Sequence, residues 1–387
     1  MNNLKNYNPL FFLSSLWAWW LTVSFFVYLM FLTKHPETPV PTFNSLLSVF
    51  QNWDIFMQAL IIFSLIWVTF FWIMHFHLLI KNIKFFNKFS KTENYEKLKK
   101  SPAEVTLMTI PLTVAMSMNA WFSMALLFIP NLWNVIEYMF PVAILWFAII
   151  WYYALKIFWD YFTRIILSWD DDLESKHNNL SQMLAVFAFS MIWVWFSWSA
   201  AMSHHELTSA VWMLFATFFI TISIFLAIIK IVIWFKSMFK KWIAIEASPS
   251  MWLIIPIITI IWIALVRIIM WLDHNFWIEH QPMSLFILTT TLISLQILFW
   301  FIWYKIMKAN SYFKNYLNWD QKSAWSYSLI CPWVASFVFW MFFVHYWLIK
   351  TDLIQMFWIA HFILLWLLMY TQFITIKTLF KLNKKFL

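Results

Sequence analysis

Residues 251–272 read MWLIIPIITIIWIALVRIIMWL, an apolar run interrupted by one proline and one arginine. An α-helix needs about 20 apolar residues to cross a bilayer, so this run predicts a membrane-spanning helix. Pro256 lacks a backbone N–H and frees a carbonyl, which a membrane tolerates only where the backbone faces protein or water. Arg267 carries a charge that is costly in lipid. The run therefore predicts a kinked helix inside a bundle, beside a charge partner or a watery cavity.

Nine further apolar runs have a comparable length, so the chain reads as a single transmembrane domain over residues 1–387. Hydrophobic residues make up 63% of the sequence and charged residues 11%, which excludes a soluble protein. The predicted fold class is all-α, a polytopic membrane protein. We number the predicted helices 1 to 10, and they cover residues 9–33, 55–80, 105–130, 135–159, 183–203, 207–235, 251–272, 283–307, 327–349 and 353–376.

Short and long connections alternate, so the ten helices form five successive hairpins. Pro111, Pro256 and Pro332 interrupt helices 3, 7 and 9, while helices 1 and 5 carry dense tryptophan clusters. Interrupted backbone belongs against protein or a watery space and not against lipid. We therefore expect the odd-numbered helices to form an inner ring and the even-numbered helices to face the lipid.

Basic residues concentrate in the connections that follow even-numbered helices. Seven lysines lie between Lys81 and Lys100, and three lie between Lys381 and Lys385. Because Lys and Arg are retained on the cytoplasmic side, we expect both termini in the cytoplasm of a multi-pass protein in the cell inner (plasma) membrane. The net charge of +9 fits contact with anionic lipid in the bilayer and needs no nucleic acid.

Glycine is absent from the 387 residues, whereas tryptophan occurs 31 times. An average usage of roughly 7% predicts about 27 glycines. Tryptophan stands in turns, as in residues 130–134 (PNLWN), and in runs such as residues 16–20 (LWAWW) that become small-residue helix faces once glycine replaces it. We hypothesise that UGA codons meaning glycine were translated as tryptophan. The alternative is a chain that is truly rich in tryptophan.

Five hairpins with kinked odd helices resemble the tellurite-resistance and dicarboxylate transporter family, which includes bacterial TehA-like anion channels and plant slow anion channels. In that family the odd helices enclose a pore, and an aromatic residue just before a proline of helix 9 occludes it. Here residues 326–335 read SYSLICPWVA, so Cys331 takes the aromatic position. With glycine for tryptophan, residues 16–26 and the stretch after Cys331 resemble the TsoY branch of membrane (seleno)proteins, which carries selenocysteine or cysteine here. The relatives also imply a homotrimer.

Helix 9 supplies the candidates for a gate. Beyond Pro332 a half-helix begins, and its positive end points back toward the thiol of Cys331. The alternative is a small, inert core cysteine. Phe337 and Phe339 follow the break and are candidates for a replacement constriction, with core or lipid packing as the alternative.

Polar residues in the odd helices are candidates for the pathway, because hydroxyl and amide donors replace part of an anion's hydration shell. Arg267 is expected to attract anions from the outer mouth. The alternatives are an ion pair to Asp273, Glu279 or Glu206, and snorkelling of the side chain from near the helix end. The kink prolines and the polar side chains complete the predicted pathway: Pro111, Pro256, Ser24, Asn119, Ser197, Ser199 and Ser203. For each polar side chain the alternative is an interhelical hydrogen bond.

Four histidines in the outer connections suggest a metal site only weakly. His204 and His205 lie in the fifth connection, and His274 and His280 lie in the seventh. Imidazole is a common zinc ligand, but this spacing matches no known motif, so we expect exterior loop histidines, no metal and no cofactor. The single cysteine excludes an intramolecular disulfide and a CxxC pair.

These features predict a channel or transporter for small inorganic or organic anions, without enzymatic activity. One alternative is a membrane-embedded thiol redox or sulfur-relay protein that uses Cys331 and an external resolving thiol. A second alternative is a structural membrane subunit without a pore.

Overall fold

The computed structural model describes residues 7–52, 54–167, 180–203, 205–240, 244–276 and 282–387. The protein is 87% helical, and these residues contain no strand. Ten helices are long and apolar enough to cross a membrane, which confirms the all-α prediction. Helices 1 to 10 span Pro9–Leu32, Ile55–Phe89, Pro102–Phe128, Leu132–Arg164, Met183–Met202, Glu206–Met238, Ile245–Leu272, Leu285–Ala309, Ala324–Ile349 and Ile359–Phe386.

The helix ends differ from the predicted ends where polar residues continue a helix. Helices 2 and 10 run to Phe89 and Phe386, because their basic last turns stay helical beyond the apolar layer. Asp54, Ser101 and Ser323 accept backbone N–H bonds of 3.1–3.2 Å in the first turns of helices 2, 3 and 9. Two short helices, Phe43–Asn52 and Glu93–Lys99, lie in the first and second connections.

The odd-numbered helices form the interior of the bundle. In the most apolar window of each helix, 56–100% of the residues are buried in the odd helices, against 17–28% in the even ones. Helix 2 illustrates the outer ring, because Ile62, Phe63 and Phe70 are exposed on it. Apolar side chains exposed in this number belong against lipid. The predicted inner and outer rings are therefore present.

The proline interruptions take the form of a change in helix type. Helices 3, 7 and 9 begin as 3₁₀ segments, at Pro102–Met108, Ile245–Leu253 and Ala324–Ile330, and continue as α-helix. In helix 9 the N–H of Cys331 donates to the carbonyl of Ser328, the group that Pro332 has no N–H to satisfy. The 3₁₀ turn thus compensates for the bond that the proline removes.

Both ends of the described chain lie at the same end of the bundle. The rings of Phe11 and Phe386 are 5.6 Å apart, and the Lys81 Nζ donates to the carbonyl of Leu387 at 3.1 Å. Since each connection reverses the chain, all odd helices run away from this end. Its position on the cytoplasmic side stays a prediction.

Candidate functional site

A central cavity of about 310 Å³ lies between the odd-numbered helices. Among the described residues, every odd helix contributes to its wall and no even helix does. The wall comes from the C-terminal half of each odd helix, with Pro39 and Val40 of the first connection beside it. The cavity therefore occupies the half of the bundle that is opposite to the termini. Representative wall residues, one from each odd helix, are Val23, Asn119, Val194, Arg267 and Phe342.

Arg267 is the charged residue of this wall. Its Nη1 donates to the carbonyl of Val194 in helix 5 at 2.6 Å. In the part of the chain described, Arg267 forms no ion pair, and Glu206 does not pair with it. The side chains of Asp273 and Glu279 lie outside the described residues. A guanidinium has five N–H donors, so one bond to Val194 leaves it able to bind an anion.

Asn119 is the second predicted residue that lines the cavity. Its Nδ2 contacts the Met116 sulfur at 3.7 Å, a weak hydrogen bond. Two further polar residues of the wall, Ser123 and Tyr346, are not among the predicted site residues. Ser123 carried a usable signal, because it lies four residues after Asn119 and therefore on the same helix face.

The predicted serines lie in the packing between helices and do not line the cavity. Ser24 accepts from the Gln372 Nε2 of helix 10 at 2.7 Å, and Ser197 donates to the carbonyl of Val194 at 2.9 Å. Ser203 donates to the carboxylate of Glu137, and Ser199 is fully buried. Helices 1 and 5 are buried on nearly all sides, and only one side of each faces the cavity. A polar residue at most positions of these helices therefore contacts another helix or its own backbone.

The helix 9 candidates are also outside the cavity wall. Cys331 is fully buried and is the first residue of the α-helical part of helix 9. The kink residues Pro111, Pro256 and Pro332 lie between the cavity and the end of the bundle that holds the termini, and they do not line the cavity. The Phe337 ring packs on Tyr28 with centroids 5.5 Å apart, and the Phe339 ring packs on Trp262 at 4.8 Å. Helix 9 instead presents Val338, Phe342 and Tyr346 to the cavity. These residues repeat every four positions and share one face, from which 337 and 339 point away.

The histidines of the weak metal alternative are only partly described. His205 Nδ1 accepts the Thr208 N–H at 3.4 Å, as a residue that caps helix 6. His204 and His280 lie outside the described residues, as does the side chain of His274. Among the described residues, no three His, Cys, Asp or Glu side chains are placed to hold a metal ion.

Tryptophan dominates the cavity wall and the buried polar atoms. The wall contains Trp19, Trp20, Trp195, Trp198 and Trp262. Among the described residues, eleven of the twenty buried side-chain N and O atoms without a hydrogen bond are indole nitrogens. Buried indole N–H groups in native proteins usually find an acceptor, as Trp262 does with Thr289 at 2.8 Å. Many of these positions therefore do not provide the surroundings that a tryptophan needs.

No model of a protein family matches this sequence, and searches of curated proteins and of solved structures found no similar protein. The class of protein consequently comes from the fold and the cavity alone. Ten apolar helices are consistent with a membrane transporter or channel.

Proposed function

We propose that the protein conducts or carries small anions across the membrane through the space between its odd-numbered helices. One observation carries the proposal. Arg267 lines the cavity, is bonded to a backbone carbonyl, and has no carboxylate partner in the described part of the chain. An ionisable residue inside a membrane protein is by default a candidate functional site, and a cation that lines a cavity attracts anions.

The energetics favour an anion next to Arg267. Two unit charges 4 Å apart attract each other by about 4 kcal/mol at an effective dielectric constant of 20. The net gain is smaller, because Arg267 is only half-buried and water screens part of the attraction. The Asn119 amide adds a polar group to the same wall. Together they offset part of the free energy that the anion loses when it leaves bulk water.

With tryptophan in the inner ring, large side chains fill the layer between the cavity and the end of the bundle that holds the termini. Trp17 and Trp252 are almost fully buried in this layer, as is Cys331. We propose that most tryptophans of the inner ring are glycine in the native protein. Glycine would widen the cavity wall and thin this layer, and the unpaired indoles support the replacement.

The family resemblance is a proposal of the same kind. The inner ring of five odd helices and the prolines in helices 3, 7 and 9 support membership of the TehA-like proteins and of their TsoY branch. The homotrimer and the cytoplasmic side of the termini rest on that resemblance and on the lysine distribution. The thiol alternative has no supporting contact, because Cys331 is fully buried and does not line the cavity.

The proposal is tested by anion flux into proteoliposomes that contain the glycine-restored chain. Losing a charge-assisted hydrogen bond of about 1.5–3 kcal/mol predicts that Arg267→Met slows flux roughly tenfold to a hundredfold. Methionine keeps most of the side-chain length and removes the charge. Lys305→Met is the matched control, since Lys305 is an exposed cation of helix 8, none of whose described residues lines the cavity. Vesicles that stay impermeable to chloride, nitrate and small carboxylates, or equal losses in both variants, would refute the proposal.

A further inference from the structure

Two buried histidines meet at the outer ends of helices 9 and 10. The Nε2 atoms of His345 and His361 are 3.3 Å apart, and their ring centroids are 5.2 Å apart. His361 is fully buried, and His345 is 9% exposed. Neither residue has a place in the proposed anion site.

Backbone partners determine the proton positions on both rings. His345 Nδ1 lies 2.8 Å from the carbonyl of Met341, so this nitrogen must carry a hydrogen. His361 Nδ1 accepts the N–H of Phe357 at 3.1 Å, so this nitrogen must be free of hydrogen. The neutral His361 then carries its hydrogen on Nε2 and donates it to Nε2 of His345. All four ring nitrogens are satisfied when both rings are neutral.

A third proton has no acceptor in this arrangement. On His345 Nε2 it would face the N–H of His361, and on His361 Nδ1 it would face the N–H of Phe357. Protonation therefore breaks a hydrogen bond and places a positive charge in a buried place. A zinc ion between the two Nε2 atoms fits no better. Zinc would need the lone pair of His361 Nε2, which would move the ring hydrogen to Nδ1, where it would face the N–H of Phe357.

The residues that pack around the pair are aromatic, and the nearest charged residues along helix 9 follow its end. Helix 1 presents Phe31, helix 2 presents Phe56 to Phe357, and the connection after helix 9 carries Lys350 and Asp352. In the described part of the chain none of these side chains hydrogen-bonds to either imidazole.

His35, in the first connection, is the other titratable ring at this end of helix 1. Both of its ring nitrogens lie 2.8 Å from carbonyl oxygens, those of Thr38 and Met30, and not from the His345–His361 pair.

The pair is connected to the cavity wall through aromatic contacts. Phe31 stacks on His345 with centroids 4.6 Å apart, and it meets Phe342 edge-on at 4.9 Å. Phe342 stacks in turn on Tyr346 at 5.7 Å, and both line the cavity. A movement of His345 thus reaches the wall that contains Arg267.

The backbone around the pair is unusual in two places. Residues Val344–Ile349 form a π-helical segment, and Phe357 has a φ of 64°. Such segments hold an extra residue or a strained torsion that surrounding contacts must maintain. The hydrogen bonds of His345 and His361 are contacts of this kind.

We propose that His345 and His361 form an acid-sensitive latch, which holds the outer end of helix 9 against helix 10 while both rings are neutral and releases it when the outer side becomes acidic. The latch regulates the proposed anion pathway and in that respect rests on the proposed function. Release frees Phe31, Phe342 and Tyr346, and flux falls because the cavity wall loses its fixed shape.

The test compares chloride flux in proteoliposomes at an external pH of about 7.5 and about 4; the acidic arm lies well below the free imidazole value of about 6.5, because the closed pair resists protonation. The native chain should lose flux several-fold at the acidic pH. His345→Gln should remove this loss, because its Oε1 accepts the His361 N–H and does not titrate. His77→Gln is the matched control, since His77 is an exposed histidine of helix 2. His35→Gln serves as a second control, and both controls should keep the acid response.

Thermal unfolding in nanodiscs provides a readout that needs no anion. The unfolded chain binds protons on both histidines freely, whereas the closed pair binds one only by breaking its hydrogen bond, so the stability of the closed fold should fall as the pH drops. We expect the native Tm to fall by about 3 °C or more between the two pH values, and His345→Gln to reduce that shift. If His345→Gln folds poorly, His361→Asn, whose Oδ1 still accepts the Phe357 N–H, replaces it. If both flux and Tm still respond to acid after these substitutions, the latch is overturned. If the native chain shows no anion flux at either pH but its Tm responds to acid as expected, only the anion pathway is overturned.

Discussion

The tryptophans provide the prediction with the largest expected effect. A buried donor without a partner costs about 1–3 kcal/mol. Eleven indole nitrogens in the described residues are in this condition, so the lower figure gives roughly 11 kcal/mol. Indole rings at glycine-sized positions also overpack the interior, which costs about 1–3 kcal/mol each and is set against the gain from burying their apolar surface. We therefore expect the chain with tryptophan at all these positions to fold less well than the chain with glycine there.

The assay compares the two chains and then restores single tryptophans in the glycine chain. Tryptophan returned at position 193, where the indole is fully buried and unpaired, should lower the Tm strongly. Tryptophan returned at position 366, where it is 65% exposed, should leave the Tm nearly unchanged. Peptide sequencing and intact mass of the native protein complete the test. Genuine tryptophan at position 193 in the native protein, or equal tolerance at both positions, would refute the reasoning.

Two further substitutions test the site and the scaffold. Cys331→Ser should leave anion flux close to native, because the cavity does not reach Cys331; loss of all activity would favour the thiol alternative. Glu104→Ala should lower the free energy of unfolding by about 1–3 kcal/mol, measured as a fall in Tm, because it removes the oxygen that accepts hydrogen bonds from Arg164 Nε and Nη2 at 3.0 and 2.6 Å. Glu96→Ala, on the exposed short helix, should change the Tm little, and an equal fall there would contradict a specific contribution from Glu104.

Much of the fold follows from local sequence. Apolar runs of about 20 residues predict spanning helices without any knowledge of their neighbours. The prolines inside helices 3, 7 and 9 predict that these helices avoid lipid, and the structure places all three in the inner ring, whereas Pro141 near the start of helix 4 stands in the outer ring. Part of the site also follows from local sequence. Arg267 and Asn119 are polar residues within apolar helices, which predicts that they avoid lipid, and both line the cavity.

The rest of the site depends on the rotation of each helix about its axis. Helix 9 is apolar on every side, so its hydrophobic pattern does not reveal which face is turned to the cavity. Packing decides that Phe342 and Tyr346 line it while Phe337 contacts Tyr28. The serines illustrate the same limit, because a hydroxyl in a buried helix bonds equally well to its own backbone or to a neighbour, as Ser197 and Ser24 do.

The sequence by itself predicted ten helices that are long and apolar enough to cross a membrane, because length and hydropathy act within one segment. Only the tertiary structure decided that Arg267 meets Val194 instead of a carboxylate, and that His345 and His361 share a hydrogen bond. Contacts of this kind join segments far apart in the chain. They depend on distances of a few ångströms and on ring orientation, which composition and periodicity do not encode.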